Sequence, residues 1–183
     1  MSKKTRRIIF VSGVSGTGKS SIVKYLKMLL GSGYTVFDLD SRGVPTEVDS
    51  KWRQRETRHF IKQACTIVKK NITTIVCGHT RPEEIFQMRK SMRDLLPKFC
   101  LLDASQKVIA KRLKLRFNTP TKKRQLRRIT GESVQDNIRN NIEYAKKMRK
   151  YYRNNNYKIF NTSISTPEKS ANRVSKWILT KTK

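Results

Sequence analysis

The sequence predicts a single α/β domain, a five-stranded and mostly parallel sheet with helices on both faces. Three observations lead there. Short apolar runs of strand length alternate along the chain with longer segments whose apolar residues recur at helical spacing. The first run passes through a glycine-rich turn into a helix, the opening of a strand–turn–helix unit. Apolar residues make up 36% of 183, enough for one core, and no internal repeat divides them.

The elements follow in order. Arg7–Ser12 is an apolar run expected as a buried strand. Lys19–Leu30 carries Ile22, Val23, Leu26, Leu29 and Leu30 on one helical stripe, and Gly31-Ser32-Gly33 ends it. Tyr34–Leu39 is a second strand, followed by a loop with Gly43 and Pro45. Residues 51–69 place Trp52, Phe60, Ala64 and Ile67 near one helical face. Thr73–Cys77, rich in β-branched residues, is a third strand, and Thr80–Met92 a helix with Pro82 near its first turn. Phe99–Leu102 is the fourth strand and 105–116 the next helix. Phe117–Thr130 is polar and basic, contains Pro120, and reads as a mobile loop or lid. Ser133 with Asp136 resembles a capping box and starts a helix to about Arg153, with the stripe Val134, Ile138, Ile142, Ala145, Met148 and Tyr152. Lys158–Phe160 is the fifth strand, and Thr166-Pro167 opens a last helix carrying Ala171, Val174, Trp177 and Ile178.

Gly13-Val14-Ser15-Gly16-Thr17-Gly18-Lys19-Ser20 matches G-x-x-x-x-G-K-[ST] in full, between a strand and a helix. Its glycines let the backbone curl so that successive N–H groups face phosphate oxygens. The helix beginning at Lys19 directs its positive end at the same oxygens. Lys19 reaches the β- and γ-phosphates of ATP, the Ser20 hydroxyl ligates Mg²⁺, and Ser21 completes the nucleotide-binding segment.

Asp38 and Asp40 lie two apart at the end of the second strand, so they can face one site together. In an open α/β sheet that edge flanks the phosphate loop. One reading gives Asp38 the metal and Asp40 the acceptor hydroxyl; the other makes both solvated acids of a turn. Gly78-His79-Thr80-Arg81-Pro82 leaves the third strand at the same edge. There Gly78 lets substrate approach while His79 or Arg81 touches it, or the segment is an ordinary strand-to-helix turn. Arg112 and Arg116, four apart on one helical face, either close over the γ-phosphate or belong to a solvated basic face. Cys65, Cys77 and Cys100 have no metal-ligand spacing and read as small hydrophobes.

The charge is extreme: 42 Lys and Arg against 13 acids, +29 in all. Such a field attracts polyanions and says nothing about fold. Between Lys107 and Arg153 there are 16 basic residues and 3 acidic ones, interleaved with Phe117, Tyr144, Tyr151 and Tyr152. No run is long and apolar enough for a membrane span or for the core of a signal peptide, so a cytoplasmic location is expected.

Taken together these residues resemble the small P-loop kinases: shikimate and gluconate kinases and, more distantly, adenylate kinases. The motifs that carry the resemblance are Gly13–Ser20, Asp38-x-Asp40, the Gly78 turn and Arg112-x-x-x-Arg116. It implies transfer of the γ-phosphate of ATP, with magnesium, to a small acceptor under a closing lid at about 117–130. It also implies phosphate contacts for Arg112 and Arg116. The chain departs from the family after the third strand, where Cys77-Gly78-His79 replaces the glycine triplet of shikimate kinases. Trp52-Arg53-Gln54-Arg55 with Arg58 lies where these kinases bind the acceptor, and its arginines, Arg53 first, favour an anionic or nucleotidic one. A kinase of RNA or DNA ends and a non-enzymatic, nucleotide-dependent RNA-binding factor are the other readings of loop and charge.

Overall fold

The six residues of β1, Arg7–Ser12, set the middle of the sheet because their apolar side chains point to both faces. Ile8, Ile9, Phe10 and Val11 are all fully buried. In this computed structural model, which describes residues 7–46, 49–92 and 95–182, β1 pairs in parallel with two neighbours. Phe10 stands level with Val76 of β3 (Thr73–Gly78) on one side and with Phe99 of β4 (Leu96–Asp103) on the other. With β2 (Tyr34–Asp38) and β5 (Lys158–Asn161) outside them, the order is β2-β3-β1-β4-β5, every pair parallel. The chain leaves β1 toward β2 but later crosses to β4 on the opposite side. That reversal opens a crevice at the carboxyl end of β1.

Alternation along the strands divides the core. Ile8, Phe10, Val76, Phe99 and Leu101 pack on one face against α2 (Ser50–Ile67), α3 (Pro82–Gln87), α4 (Arg89–Met92), α5 (Gln106–Arg116) and α7 (Val134–Asn154). Ile9, Val11, Ile75, Cys77, Cys100 and Leu102 pack on the other against α1 (Lys19–Leu30) and α8 (Pro167–Thr182). The cysteines at 77 and 100 are buried there among hydrocarbon, as expected.

Helix starts are fixed by side-chain caps. Asp49 accepts from Trp52 N at 2.6 Å, Ser105 from Val108 N at 3.3 Å and Ser133 from Asp136 N at 3.1 Å. Ser133 Oγ also donates to Asp136 Oδ2 at 2.6 Å, tying the two residues of the expected box side chain to side chain.

Three expectations are corrected. The helix expected over Thr80–Met92 is two short ones, broken at Met88. β4 begins at Leu96, three residues before the apolar run. Phe117–Thr130 is not a loop: Pro120–Thr130 is a helix, α6, capped by Thr119, whose hydroxyl accepts from Lys122 N at 3.3 Å. Pro120 occupies the first helical position, where its missing N–H is harmless. Gly131, at φ +72°, supplies the left-handed residue that stops it. Leu126 is the one residue of α6 that is fully buried, which left no apolar stripe to read. Among the described residues no helix is long and apolar enough to cross a membrane.

Candidate active site

The glycine-rich loop sits in the crevice beyond β1. A Cβ on Gly13 would lie 2.5 Å from Thr17 Oγ1 and 2.7 Å from the Leu102 carbonyl, so the loop can close against β4 only with glycine there. Thr17 pins the turn internally, its hydroxyl donating to Val14 O at 2.8 Å. Gly16 and Gly18 take φ of +85° and +93°, and Gly18 caps α1 without a side chain. The N–H groups of the first turn are thereby left to a ligand. A cavity of about 400 Å³ is lined by Ser15, Gly16, Thr17, Gly18, Lys19, Ser20 and Ser21, with Asp40, Arg112, Arg116, Thr162 and Pro167.

Lys19 folds back over the loop, its Nζ donating to Val14 O at 2.8 Å. Burial lowers its pKa to about 8 against the pull of Asp40 and Asp38. An ammonium so poorly solvated gains more from phosphate oxygens than one in water. Asp40 keeps an exposed rim, yet burial and then the neighbouring Asp38 raise its pKa. Both effects favour the protonated acid. The two aspartates do not share one wall. Asp38 accepts from the backbone N–H of Asp40 at 3.1 Å, the bond of a turn, and borders a shallow depression with Ser20, Ser21 and Lys24. Asp40 borders the phosphate cavity.

The paired arginines also separate. Arg112 is tied into the protein: its guanidinium donates to Gly16 O at 3.0 Å, to Thr162 Oγ1 at 3.2 Å and to Thr162 O at 2.8 Å. Arg116 is exposed, lies over the Phe117 ring and faces the cavity near Lys19 and Asp40. Two residues that sequence reasoning missed complete the cradle. Thr162, buried at the end of β5, donates from its hydroxyl to Thr17 O at 3.0 Å. Asn141 of α7 accepts from Ser15 N at 3.0 Å, while its own amide donates to Asn137 O at 2.8 Å. Asn137 in turn donates to Glu132 Oε2 at 2.5 Å. Nothing in the local sequence marks either residue, because each acts across more than a hundred residues.

At the end of β3 a Cβ on Gly78 would fall into the Leu39 side chain, so this glycine serves packing of the Asp40 turn. Arg53 is held in a largely buried fork on Glu84, at 2.7 and 3.3 Å, and Arg81 approaches the same carboxylate at 3.7 Å. Glu84 was not foreseen; on α3 it is spaced from Arg81 by one helical turn, the only local signal. Arg55 and Arg58 are exposed on α2, whereas Trp52 is buried. Burial, with Lys19, Arg53 and Arg81 nearby, drives the pKa of His79 down to about 3. The imidazole is therefore neutral, packed 4.8 Å from the Tyr144 ring with Arg81 over the same ring.

The donor set suits magnesium rather than a softer metal. Among the described residues no three His, Cys, Asp or Glu converge, and Ser20 borders the cavities of both Asp40 and Asp38. One or two oxygens beside a phosphate site are what magnesium requires of a protein, the remainder coming from water and phosphate.

A family model described as the AAA domain matches residues 9–160. No curated protein sequence matches significantly. Solved structures do. A candidate kinase from Chloroflexus aurantiacus aligns over 96% of this chain and 98% of its own, at 15% identity and TM-score 0.68. Shikimate kinase from Bacteroides thetaiotaomicron aligns over 94% and 98%, at 17% and 0.56. A gluconokinase from Sinorhizobium meliloti aligns over 99% and 100%, at 17% and 0.52. At these identities the likeness is one of fold.

Proposed function

The chain belongs to the AAA domain family and carries the fold of the small P-loop kinases, and from that premise we propose that it transfers the γ-phosphoryl group of ATP to a small, anionic or nucleotidic acceptor. The observation that carries this reading is the meeting of Lys19, Arg116 and Asp40 on one cavity at the phosphate loop. Two cations and one carboxylate are what an in-line displacement at phosphorus needs. The loop N–H groups and Lys19 hold the β- and γ-phosphates. The acceptor oxygen forms its bond to the γ-phosphorus as the bond to the β–γ bridging oxygen breaks. The hydroxyl proton passes to Asp40, a carboxylate made a better acceptor by its raised pKa. Arg116, free at the cavity wall, meets the charge spread over the transferring oxygens. Arg112, bonded to Gly16 and Thr162, positions the loop and keeps its charge within the cavity lining.

Ser20, with Asp38 through its hydration shell, would hold magnesium, which when bound shields the negative charge of the phosphates. Arg53, Arg81 and the neutral His79 favour an anion on the acceptor side, since Glu84 offsets only one of the two arginines.

The test is transfer of label from γ-labelled ATP in the presence of magnesium. The acceptor panel comprises nucleoside monophosphates, hydroxy acids, sugar acids and oligonucleotides with free 5′-hydroxyls. A labelled product abolished by Lys19→Ala is the expected result. ATP binding with neither transfer nor hydrolysis would replace the kinase by a nucleotide-dependent binding factor.

A further inference from the structure

The helix α6 is built against its own stability. Five of its eleven residues are cations, Lys122, Lys123, Arg124, Arg127 and Arg128, all exposed, and none is acidic. Lys123 with Arg127 and Arg124 with Arg128 are like-charged pairs four apart, and Lys122 and Lys123 stand near the positive end of the helix dipole. Elsewhere several of the chain's acids are paired with cations. Asp136 pairs with Arg139, Glu143 with Lys146, Asp103 with Arg149 and Glu84 with Arg53. Among the described residues no ion pair includes a cation of α6. The gap is wider than the helix: residues 104–131 hold ten basic side chains and no acidic one.

The position of α6 connects this charge to the site. A second cavity, of about 500 Å³, lies between Lys122, Gln125, Leu126 and Thr130 of α6 and the Asp40 turn. It shares Ser15, Asp40 and Arg116 with the phosphate cavity. A polyanion lying along α6 would therefore lead to the place where an acceptor must stand.

We propose that the exposed face of α6, with the cavity beneath it, is a docking surface for single-stranded RNA, held through its phosphates without regard to sequence. The occupant must be a polyanion because the surface offers charge at regular spacing. Lys123 and Arg127 form one row and Arg124 and Arg128 another, suited to successive phosphates rather than to one small anion. The cavity below, with Phe117 at its wall and both apolar and polar lining, has room for an unpaired base. The inference rests on the phosphotransferase reading only in giving a bound strand its direction toward Asp40; binding itself is independent of it.

The test uses the full chain without ATP and a fluorescent single-stranded RNA of about 20 nucleotides, titrated across a range of salt. A variant carrying Lys123→Gln, Arg124→Gln, Arg127→Gln and Arg128→Gln is compared with one in which Lys27, Lys169, Lys176 and Lys181, exposed on α1 and α8, become glutamine. Both lose the same charge, so a diffuse field affects them equally. The α6 variant should bind RNA about tenfold or more weakly, with the slope of log affinity against log salt lower by about two to three, while the other changes little. Its ATP affinity should stay as in the native chain, because these four side chains border neither cavity, and its Tm should not fall, because like-charge repulsion is removed. Equal losses in the two variants, or native binding to RNA that vanishes by about 0.1 M salt, would overturn the proposal. So would α6-dependent binding to phosphatidylserine vesicles that exceeds binding to RNA. Retained, α6-dependent RNA binding in a protein that transfers no phosphate would support the surface while removing the kinase reading.

Discussion

Lys19 carries two expectations, one for chemistry and one for pH. Removing a preorganised cation from a developing phosphoryl charge costs about 2–4 kcal/mol in barrier. Lys19→Ala should therefore lower kcat about 10²–10³-fold without unfolding the chain, checked by single-turnover transfer and a melting curve. In the free protein its pKa is lowered to about 8, and phosphate raises it again on binding. The lysine's contribution to ATP affinity should accordingly be flat below about pH 7 and fall as pH rises through 8, by about tenfold between pH 7 and pH 9. Isothermal titration at three pH values would show this, and the dependence should disappear in Lys19→Ala. Asn141 acts at one remove. In Asn141→Ala the Ser15 N–H loses its acceptor, a cost of about 1–3 kcal/mol if it stays buried. Asn141→Asp restores an acceptor but sets a negative charge beside the phosphates. The alanine variant should lower Tm and raise KM for ATP, whereas the aspartate variant should raise KM with a smaller change in Tm. Equal Tm and KM in both would remove Asn141 from the cradle.

Among the elements, β3 and the turn after β2 fit each other most closely. Gly78→Ala inserts a methyl into Leu39, and overpacking of this kind costs about 1–3 kcal/mol. Because Leu39 precedes Asp40, the variant should both melt earlier and bind the acceptor more weakly, with KM for ATP nearly unchanged. A stable variant with native acceptor KM would show that the turn yields freely. The strands and the long helices were legible in the sequence because each carries its own periodicity. β1 is an unbroken apolar run from Ile8 to Val11, and α7 repeats Ile138, Ile142, Ala145 and Met148. The phosphate loop was legible because its chemistry is local, one turn between one strand and one helix. α6 was not, since a helix resting on Leu126 alone has the composition of a loop; its signs were only Thr119-Pro120 before it and Gly131 after it. The partners Thr162, Asn141 and Glu84 were hidden for a different reason. Each is an ordinary residue whose meaning comes from a contact made after the sheet has assembled.

At the scale of the whole molecule the net charge of +29 opposes compactness by self-repulsion. The Debye length shortens from roughly 14 to 6 Å as salt rises from about 50 to about 300 mM, so Tm should climb over that range. A fall instead would mean that the few ion pairs outweigh the repulsion. The phosphate loop has its own place in this whole. It comes from residues 13–20, yet side chains that fasten it to the rest of the fold come from Arg112, Asn141 and Thr162. On a ribosome the loop therefore emerges well before its fastenings. β1, the central strand, waits likewise for β3 and β4 before it has neighbours on either side. A nascent chain arrested before Thr162 has emerged should fail to retain an ATP analogue, and one exposing α8 should hold it, as pull-down on analogue-linked beads would show. The grip on nucleotide is thus set by the order of residues along the chain, and copies stalled between the loop and β5 carry the motif without its fastenings.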